Sequence, residues 1–243
     1  MGTLHNSFSV LGNAGILAYL FKGVLFTIII SAIAIGFGLA LGSVLALLRN
    51  YCVSRKLKIF KILATAYIEV FRNTPLLLWI FIGLVFFPVP AMFQSGMFGL
   101  TSVEVKMLFK VTVALILFTS SVIAEIVRGG LNAVPKGQFE AGYSQGFSMR
   151  QRMWYIVLPQ AFKKIIPTLL SQVITTIKDS SYVANVATIE LMARTKQLLS
   201  VSNYYNGTGN INVSDVFVMF GAAFVIYFVI NFSISLIVRR MQK

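Results

Sequence analysis

The chain has 243 residues, of which 57% are hydrophobic and 12% are charged, and its formal net charge is +14. A soluble domain contains about 45–50% apolar and about 25% charged residues, so this composition excludes an ordinary water-soluble fold and indicates a bilayer as solvent. The lysines and arginines concentrate between the apolar runs, as the positive-inside bias predicts. The charge therefore does not indicate nucleic-acid binding, which needs basic residues on a solvated face.

Five apolar runs predict an all-α integral membrane protein with about five transmembrane helices in a single domain of residues 1–243. The first run has no charged side chain from residue 23 to residue 48, so it exceeds the roughly 20 residues that span the hydrocarbon core. Within it, Ala34, Gly38 and Gly42 recur at four-residue spacing, which predicts a face for close helix packing. The predicted spans are residues 23–48, 62–87, 105–127, 165–186 and 216–238.

Basic residues alternate between the connections that link these spans. The connections 49–61 and 128–164 and the tail 239–243 are rich in lysine and arginine, whereas 88–102 contains neither and 187–214 contains only two. Because lysine and arginine are enriched in cytoplasmic loops, the alternation predicts an external N-terminus and a cytoplasmic C-terminus. The connection 128–164 is then a cytoplasmic loop.

The second predicted span contains polar residues that are costly inside a membrane. Glu69, Arg72 and Asn73 have i, i+3 and i+4 spacing, which places them on one helical face. An internal pair between Glu69 and Arg72 would lower the cost of burying both charges. Pro75 lacks a backbone N–H and crowds the carbonyl of Phe71, which predicts a kink. The three polar residues are candidates for substrate binding, and a purely structural ion pair is the alternative.

The fourth predicted span has a second polar face. Gln172, Thr175, Thr176 and Asp179 have i, i+3, i+4 and i+7 spacing, which again lines one side of a helix. Asp179 can pair with a cationic group of a ligand, such as an ammonium group, and Gln172 can contact other polar atoms of that ligand. In the alternative interpretation, the threonines and the glutamine bond to the backbone or to a neighbouring helix, and Asp179 pairs with Lys178.

The cytoplasmic connection contains a segment whose apolar content is too low for a membrane span. Its small residues Ala141, Gly142 and Gly146 leave one side of a short helix nearly flat, and Glu140 and basic residues flank it. A helix of this kind suits docking into a groove on a soluble partner. A plain linker between two spans is the alternative.

This segment resembles the EAA loop of ABC importer permeases. The matching residues are Glu140-Ala141-Gly142, then Gly146, then Ile156-x-Leu158-Pro159, with Gly142 in place of the usual alanine. The surrounding sequence resembles the polar amino-acid uptake permeases of the histidine, glutamine and arginine type. These further matches, in the same order across residues 67–195, are Phe71-Arg-Asn-Thr-Pro-Leu76, Glu125-Ile-Val-Arg-Gly-Gly-Leu-Asn-Ala-Val-Pro-Lys-Gly-Gln138, Leu158-Pro-Gln-Ala161 and Lys178-Asp-Ser-Ser181.

The resemblance implies a type I ABC importer permease fold and ATP-driven import of polar amino acids by alternating access. It implies an assembly in a bacterial or archaeal inner membrane with a second permease, identical or homologous, two cytoplasmic ABC ATPases and an extracytoplasmic amino-acid-binding protein. In this family the loop forms a coupling helix that sits in a cleft of the ATPase. The resemblance assigns that role here to Glu140, Ala141, Gly142, Gly146 and Phe147.

No cofactor, metal or catalytic residue is predicted for this chain itself. It lacks a GxxxxGKS or GxxxxGKT phosphate loop, so ATP and Mg²⁺ are expected on the partner ATPase. One histidine, His5, and one cysteine, Cys52, exclude a disulfide within the chain and a zinc site of the usual kind.

Two other functions stay open at the level of the sequence. An autonomous secondary transporter or channel is disfavoured by the small size, the odd number of spans and the absence of inverted halves. A membrane enzyme is disfavoured because the spans contain no histidine–carboxylate cluster. The sequence does not identify the amino acid, so neutral, acidic and basic amino acids and cystine are all open substrates.

Overall fold

The structure is a computed structural model that describes residues 8, 11–51, 58–186, 189–201 and 211–241, and His5 and Cys52 lie outside these ranges. Its regular elements there are helical. Short 3-10 helices cover Ala91–Phe93 and Ser180–Val186, and a helical turn at Met149–Gln151 followed by a π-helix at Arg152–Val157 leads into the sixth helix. We label the main helices α1 (Ala14–Tyr51), α2 (Lys58–Arg72), α3 (Leu76–Phe86), α4 (Ser102–Asn132), α5 (Lys136–Ser144), α6 (Leu158–Asp179), α7 (Leu191–Ser200) and α8 (Val213–Met241).

Within the described ranges, α1, α4 and α8 are each long and apolar enough to cross a membrane. α2 and α3 meet the same requirement only together, and they are bent by 111° at a short break. The all-α membrane fold predicted from the sequence is confirmed. The predicted span 165–186 is not among these candidates. Its first part is the second half of α6, which ends in the charged residues Lys178 and Asp179, and its remainder is a 3-10 helix.

α1 lies at the centre of the packing and contributes to each of the three apolar clusters found among the described residues. Leu20 packs with residues of α7 and α8, Ile30 with residues of α3 and α4, and Leu45 with residues of α2, α4 and α6. Since lipid solvates apolar side chains as well as protein does, close packing of helix backbones is what holds such contacts together.

The small-residue face of α1 packs against α4. Ala34 is fully buried. A Cβ atom added to Gly38 would lie 3.2 Å from Thr119 Cγ2, and one added to Gly42 would lie 2.6 Å from the backbone oxygen of Ser120. Backbones come this close only where side chains are small. The packing face predicted from the four-residue spacing is therefore confirmed.

The kink predicted at Pro75 is a full break between α2 and α3. Pro75 stands between the two helices in an extended conformation. The hydroxyl of Thr74 donates to the backbone oxygen of Val70 at 2.6 Å and accepts from the indole nitrogen of Trp79 at 2.7 Å. One hydroxyl group thus links the end of α2 to the start of α3, so the bend has a defined geometry.

A second break follows α6. After Asp179 the chain tightens into the 3-10 helix Ser180–Val186, and α7 begins at Leu191 with Glu190 as its N-cap. A Cβ atom added to Gly23 would lie 2.9 Å from the Cα atom of Leu191, so the start of α7 lies directly on α1. The residues that follow α6 therefore turn inward against the helix bundle.

We expect Gly42→Ala to lower the stability of the protein by about 1–3 kcal/mol, because the new methyl group collides with the backbone of α4. Gly36→Ala is the matched control on the same helix: it gains the same helix propensity, and no other atom lies within 4 Å of its added Cβ. Thermal unfolding of the purified protein in detergent compares the two variants. Equal melting temperatures would contradict the close contact between α1 and α4.

Candidate functional site

Glu125 of α4 is the centre of a charged cluster that joins α1, α2 and α4. Its side chain is only 13% exposed, and its carboxylate lies 2.6 Å from Arg49 Nη1, 2.8 Å from Arg128 Nη2 and 3.5 Å from Arg72 Nη1. Arg49 also pairs with Glu69 at 2.8 Å. Shielded charges need partners inside a membrane protein, and here each charged group of the cluster has at least one.

The local sequence explains why these side chains meet. Arg49 is in the last turn of α1 and Arg72 in the last turn of α2. Positive side chains at these positions interact favourably with the negative end of the helix dipole. Glu125 and Arg128 are three residues apart on α4, so they lie on one face of that helix.

The structure corrects the predicted ion pair between Glu69 and Arg72. Glu69 pairs with Arg49, Arg72 pairs with Glu125, and Asn73 donates to the backbone oxygen of Glu69 at 2.8 Å. Arg72 turns to Glu125 because that carboxylate is more shielded from water and therefore attracts a cation more strongly. Arg49 and Glu125 were missed as site residues because spacing within one span does not reveal a contact between helices.

Three of the four polar residues predicted on α6 are bonded within their own helix. Thr175 donates to the backbone oxygen of Ser171 at 3.2 Å, and Gln172 donates to the hydroxyl of Thr176 at 3.4 Å. Thr176 is fully buried. These contacts agree with the alternative interpretation, in which these side chains form hydrogen bonds with one another and with the backbone.

Asp179 differs from its neighbours on α6. It is half-buried, and it makes no hydrogen bond or ion pair with the described residues, whereas Lys178 is exposed to the outside of the helix. Adjacent residues point about 100° apart around a helix. Lys178 therefore acts on Asp179 through its charge alone and forms no ion pair with it.

The charged cluster and Asp179 lie at different depths. Gly130 of α4 packs against Ala161 and Ile165 at the beginning of α6. Glu125 precedes Gly130 by five residues, and Asp179 follows Ile165 by 14 residues in the same direction along the bundle. At 1.5 Å per residue, the nine-residue difference separates the two carboxylates by roughly 13 Å along the helix axis. The two predicted sets of substrate residues do not form one site.

Glu190 is a buried carboxylate that sequence reasoning missed, because 187–214 reads as an external loop. It is 0% exposed and accepts hydrogen bonds from Tyr227 at 3.1 Å, from Thr27 at 3.5 Å and from two backbone N–H groups at the start of α7. These contacts tie α7 to α1 and α8. The available signal was an acidic residue directly before a helical stretch, which is typical of an N-cap.

α5 stands apart from the spans as a short helix between two turns. Gly142 faces inward, since an added Cβ atom would lie 2.7 Å from Ile156 Cδ1 and 3.0 Å from Arg152 Cγ. Glu140 and Ala141 are exposed. The small residue at position 142 thus allows α5 to pack on the π-helix, and the opposite side of α5 carries the exposed residues.

Gly146 determines how the chain leaves α5. Its φ of +78° is in the left-handed region that favours glycine. Phe147 N donates to the backbone oxygen of Gly142 at 3.0 Å, and Gly146 N donates to that of Tyr143 at 2.9 Å. These bonds satisfy carbonyl groups at the end of the helix. The side chain of Phe147, which the resemblance assigns to the coupling segment, is half-buried.

Large aromatic side chains are exposed on and near α5. Tyr143, Trp154 and Tyr155 are 72%, 69% and 73% exposed. The guanidinium carbon of Arg152 lies 5.3 Å from the centre of the Tyr143 ring. Exposed aromatic residues of this size are typical of protein interfaces. Sequence alone indicated the small residues of this segment but not these three exposed aromatic residues, because exposure depends on the tertiary structure.

Comparison with known proteins identifies the family. Residues 34–243 match the model for binding-protein-dependent transport system inner membrane components. The chain belongs to this family. It is 32% identical over 226 residues to the probable glutamine ABC transporter permease protein GlnP of Bacillus subtilis (strain 168), with 93% of each chain covered. It is also 34% identical over 178 residues to the L-cystine transport system permease protein TcyL of the same organism, with 73% of this chain and 71% of TcyL covered.

Solved structures have the same fold. A crystal structure of an amino acid ABC transporter with histidines matches 92% of this permease and 94% of its own chain, with a TM-score of 0.71 and 28% identity. An inward-facing structure of the MetNI methionine ABC transporter matches with a TM-score of 0.66 at 19% identity, which concerns the fold alone. The protein is an ABC importer permease, and the resemblance inferred from the EAA-type residues is confirmed. An autonomous secondary transporter or channel is disfavoured.

We expect Glu125→Gln to destabilise the permease by about 3 kcal/mol, because it leaves three guanidinium groups close together with one carboxylate fewer in a shielded site. Glu69→Gln is the matched control: the Glu69 side chain is 47% exposed, and its carboxylate contacts Arg49 and the Asn73 amide. The loss of this exposed ion pair should cost no more than about 1 kcal/mol. Thermal unfolding in detergent measures both. A similar loss for the two variants would contradict the central position of Glu125.

Proposed function

We propose that the permease imports polar amino acids by alternating access and that a separate ATPase subunit hydrolyses the ATP that drives it. The observation that carries this proposal is the match along 93% of both chains to a permease named for glutamine transport. A second relative is named for cystine, so the proposal concerns polar amino acids as a class. Because the family is binding-protein-dependent, an extracytoplasmic binding protein would deliver the substrate.

Uptake of labelled amino acids into proteoliposomes tests this function. Vesicles that hold the permease with its ATPase and its binding protein should accumulate substrate only when ATP is supplied. Uptake driven by an ion gradient in the absence of the ATPase would contradict the proposal and favour a secondary transporter.

The proposed orientation has the N-terminus outside and the C-terminus in the cytoplasm. α8 ends with Arg239 and Arg240, and the connection 128–164 is rich in basic residues, whereas 88–102 has none. Cytoplasmic loops are the ones enriched in lysine and arginine, which supports this direction. α5 would then face the cytoplasm, where ATP is available.

The proposed assembly pairs this chain with a second permease, identical or homologous, and with two ABC ATPases. α5 is the segment proposed to contact an ATPase. Its support is geometric: a helix outside the spans packs through Gly142 on the π-helix, exposes Glu140 and Ala141 on its other side, and lies beside exposed aromatic residues. The π-helix leads directly into α6. A displacement of α5 would therefore be transmitted to α6, the helix that carries Asp179.

Asp179 is proposed to bind the ammonium group of the substrate. Its carboxylate is half-buried at the end of α6 and has no hydrogen-bond or ion-pair partner in the described part of the chain. Ionisable groups within membrane segments mark substrate pathways more often than they serve packing. The same face of α6 carries Gln172, Thr175 and Thr176, which precede Asp179 along the helix. At another depth, the pathway would be bordered by Glu69, Arg72 and Asn73.

We expect Asp179→Asn to raise the KM for uptake at least tenfold or to abolish uptake, because a hydrogen bond to a charged group contributes about 1.5–3 kcal/mol. Lys178→Gln changes a neighbouring, exposed charge that acts on Asp179 only at a distance and should change the KM much less than Asp179→Asn does. Initial uptake rates in proteoliposomes give the KM, and size-exclusion chromatography checks that the complex assembles. An unaltered KM and substrate range for Asp179→Asn would contradict the assigned role.

We expect Gly146→Val to reduce the amino acid transported per ATP hydrolysed or to prevent assembly with the ATPase. A branched residue at φ of +78° costs about 1–2 kcal/mol, and relief of this strain would redirect the chain that leaves α5. Gly129→Val is the control, since no other atom lies within 4 Å of its added Cβ and its backbone is helical. Normal coupling in Gly146→Val would count against docking through α5.

A further inference from the structure

A cleft with two lysine side chains lies at the N-terminal end of α4, beside the loop that follows α3. Its volume is about 590 Å³, which is within the usual range for small-molecule sites. The residues that line the cleft include neither Asp179 nor any member of the charged cluster or of α5, and the proposed function gives the cleft no role. Its lining residues are Leu84, Phe87, Pro88, Val89, Gln94, Val103, Lys106, Met107 and Lys110.

The cleft has a defined architecture. Phe93 of the 3-10 helix stacks on Phe109 of α4 with 4.9 Å between the ring centres. The side-chain amide of Gln94 donates to the backbone oxygen of Val89 at 3.3 Å. These contacts hold the loop against α4, so the cleft is formed by packed residues.

Lys110 has a structural role in the cleft wall. Its ammonium group donates a hydrogen bond to the backbone oxygen of Leu84. Leu84 is in the last turn of α3, where carbonyl groups have no partner within the helix. Lys110 therefore caps α3 and places a positive charge at the negative end of that helix.

Lys106 lies one turn nearer the start of α4 and has no such role. Val103, Lys106, Met107 and Lys110 have i, i+3, i+4 and i+7 spacing, so they form one stripe on the wall of the cleft. Lys106 is half-buried, and its ammonium group makes no hydrogen bond or ion pair with the described residues. Two like charges at i and i+4 repel each other when no anion lies between or beside them.

Among the described residues, no acidic side chain lines the cleft. The nearest carboxylate along the chain belongs to Glu104, and it accepts hydrogen bonds from both the backbone nitrogen and the hydroxyl of Thr101 at 2.8 Å in the capping box of α4. Glu104 is thus engaged in starting the helix. The cleft has a net positive charge that the described part of the protein leaves unneutralised.

We propose that this cleft binds the phosphate group of one phospholipid molecule through Lys106, with the glycerol and acyl portion against Leu84, Val103 and Met107. A lysine binds phosphate as a compact point charge. An uncompensated lysine at a helix end attracts the opposite charge of an anionic headgroup. The start of α4 lies at an end of a span, where the headgroup layer of the bilayer supplies phosphate and acyl chains together.

The apolar walls favour a lipid over a free anion. Most of the lining side chains are apolar, and apolar surface is buried favourably only against another apolar group. A free phosphate or a small carboxylate would contact Lys106 and leave these walls unfilled. The ligand that matches both parts of the cleft is an anionic amphiphile, and this conclusion does not depend on which substrate the permease transports.

Binding of phosphatidylglycerol to the full-length purified chain, titrated in detergent and measured by native mass spectrometry, tests the proposal. The comparison lipid is monogalactosyl diacylglycerol with the same acyl chains, which has no phosphate and no charge. We expect the wild type to bind the first molecule of phosphatidylglycerol at least tenfold more tightly than the comparison lipid. Lys106→Ala should remove this difference, and Lys106→Arg should retain most of it.

Two further variants make the test specific. Lys22→Ala removes an exposed lysine of α1 that does not line the cleft and should bind phosphatidylglycerol as the wild type does. Val103→Asp places a carboxylate on the 57% exposed rim of the cleft and should weaken binding of phosphatidylglycerol more strongly than binding of the uncharged lipid, because only the former is also repelled by the new charge. The melting temperature without added lipid should be no lower for Lys106→Ala than for the wild type, because Lys106 has no hydrogen-bond or ion-pair partner among the described residues.

Three results would overturn the proposal. The first is equal affinity of the wild type for the two lipids, and the second is an unaltered affinity for phosphatidylglycerol in Lys106→Ala. The third is displacement of phosphatidylglycerol by glycerol phosphate at equal concentration, which would mean that the anion alone is bound and that the apolar walls contribute nothing.

Discussion

The convergence of three guanidinium groups on Glu125 is the interaction on which the arrangement of α1, α2 and α4 depends. Apolar contacts alone define helix positions weakly in a bilayer, because lipid chains solvate apolar side chains equally well. Lipid cannot replace the arginine partners of a shielded carboxylate, since leaving the carboxylate or the arginines unpaired is costly. Arg49 joins α1 to both α4 and α2 through Glu125 and Glu69, so one side chain couples the longest helix to the bent pair.

Both helix breaks in the described structure are stabilised by polar side chains that take over unpaired backbone groups. Thr74 bridges the end of α2 and the start of α3, and Lys110 caps the end of α3. Glu190 caps the start of α7 and also binds α1 and α8. Irregular backbone is tolerated at membrane depth only where such partners exist. Helix ends inside the bundle also bring backbone dipoles and polar side chains toward the interior, as transport pathways require.

The candidate site is distributed along the length of the molecule. Asp179 lies at one end of α6, and the π-helix and α5 lie at the other, with the charged cluster at an intermediate depth. α6 is therefore the element that connects the proposed ATPase contact to the proposed substrate contact. Its residues Gln172, Thr175 and Thr176 bond within the helix, whereas Asp179 makes no hydrogen bond or ion pair with the described residues.

The sequence by itself determined the membrane environment, the all-α class, the family and the close-packed face of α1, because length, hydropathy, motifs and small-residue spacing are properties of neighbouring residues. It also predicted the kink at Pro75, since a proline acts on its own helix. Only the tertiary structure decided four other features: the partner of Arg72, the inward side of Gly142, the burial of Glu190 and the cleft at Lys106. Each of these four features is a contact between segments that are far apart in the sequence. Which contact forms depends on the cost of burying a group and on the partners within reach, and both are defined only when the helices have packed.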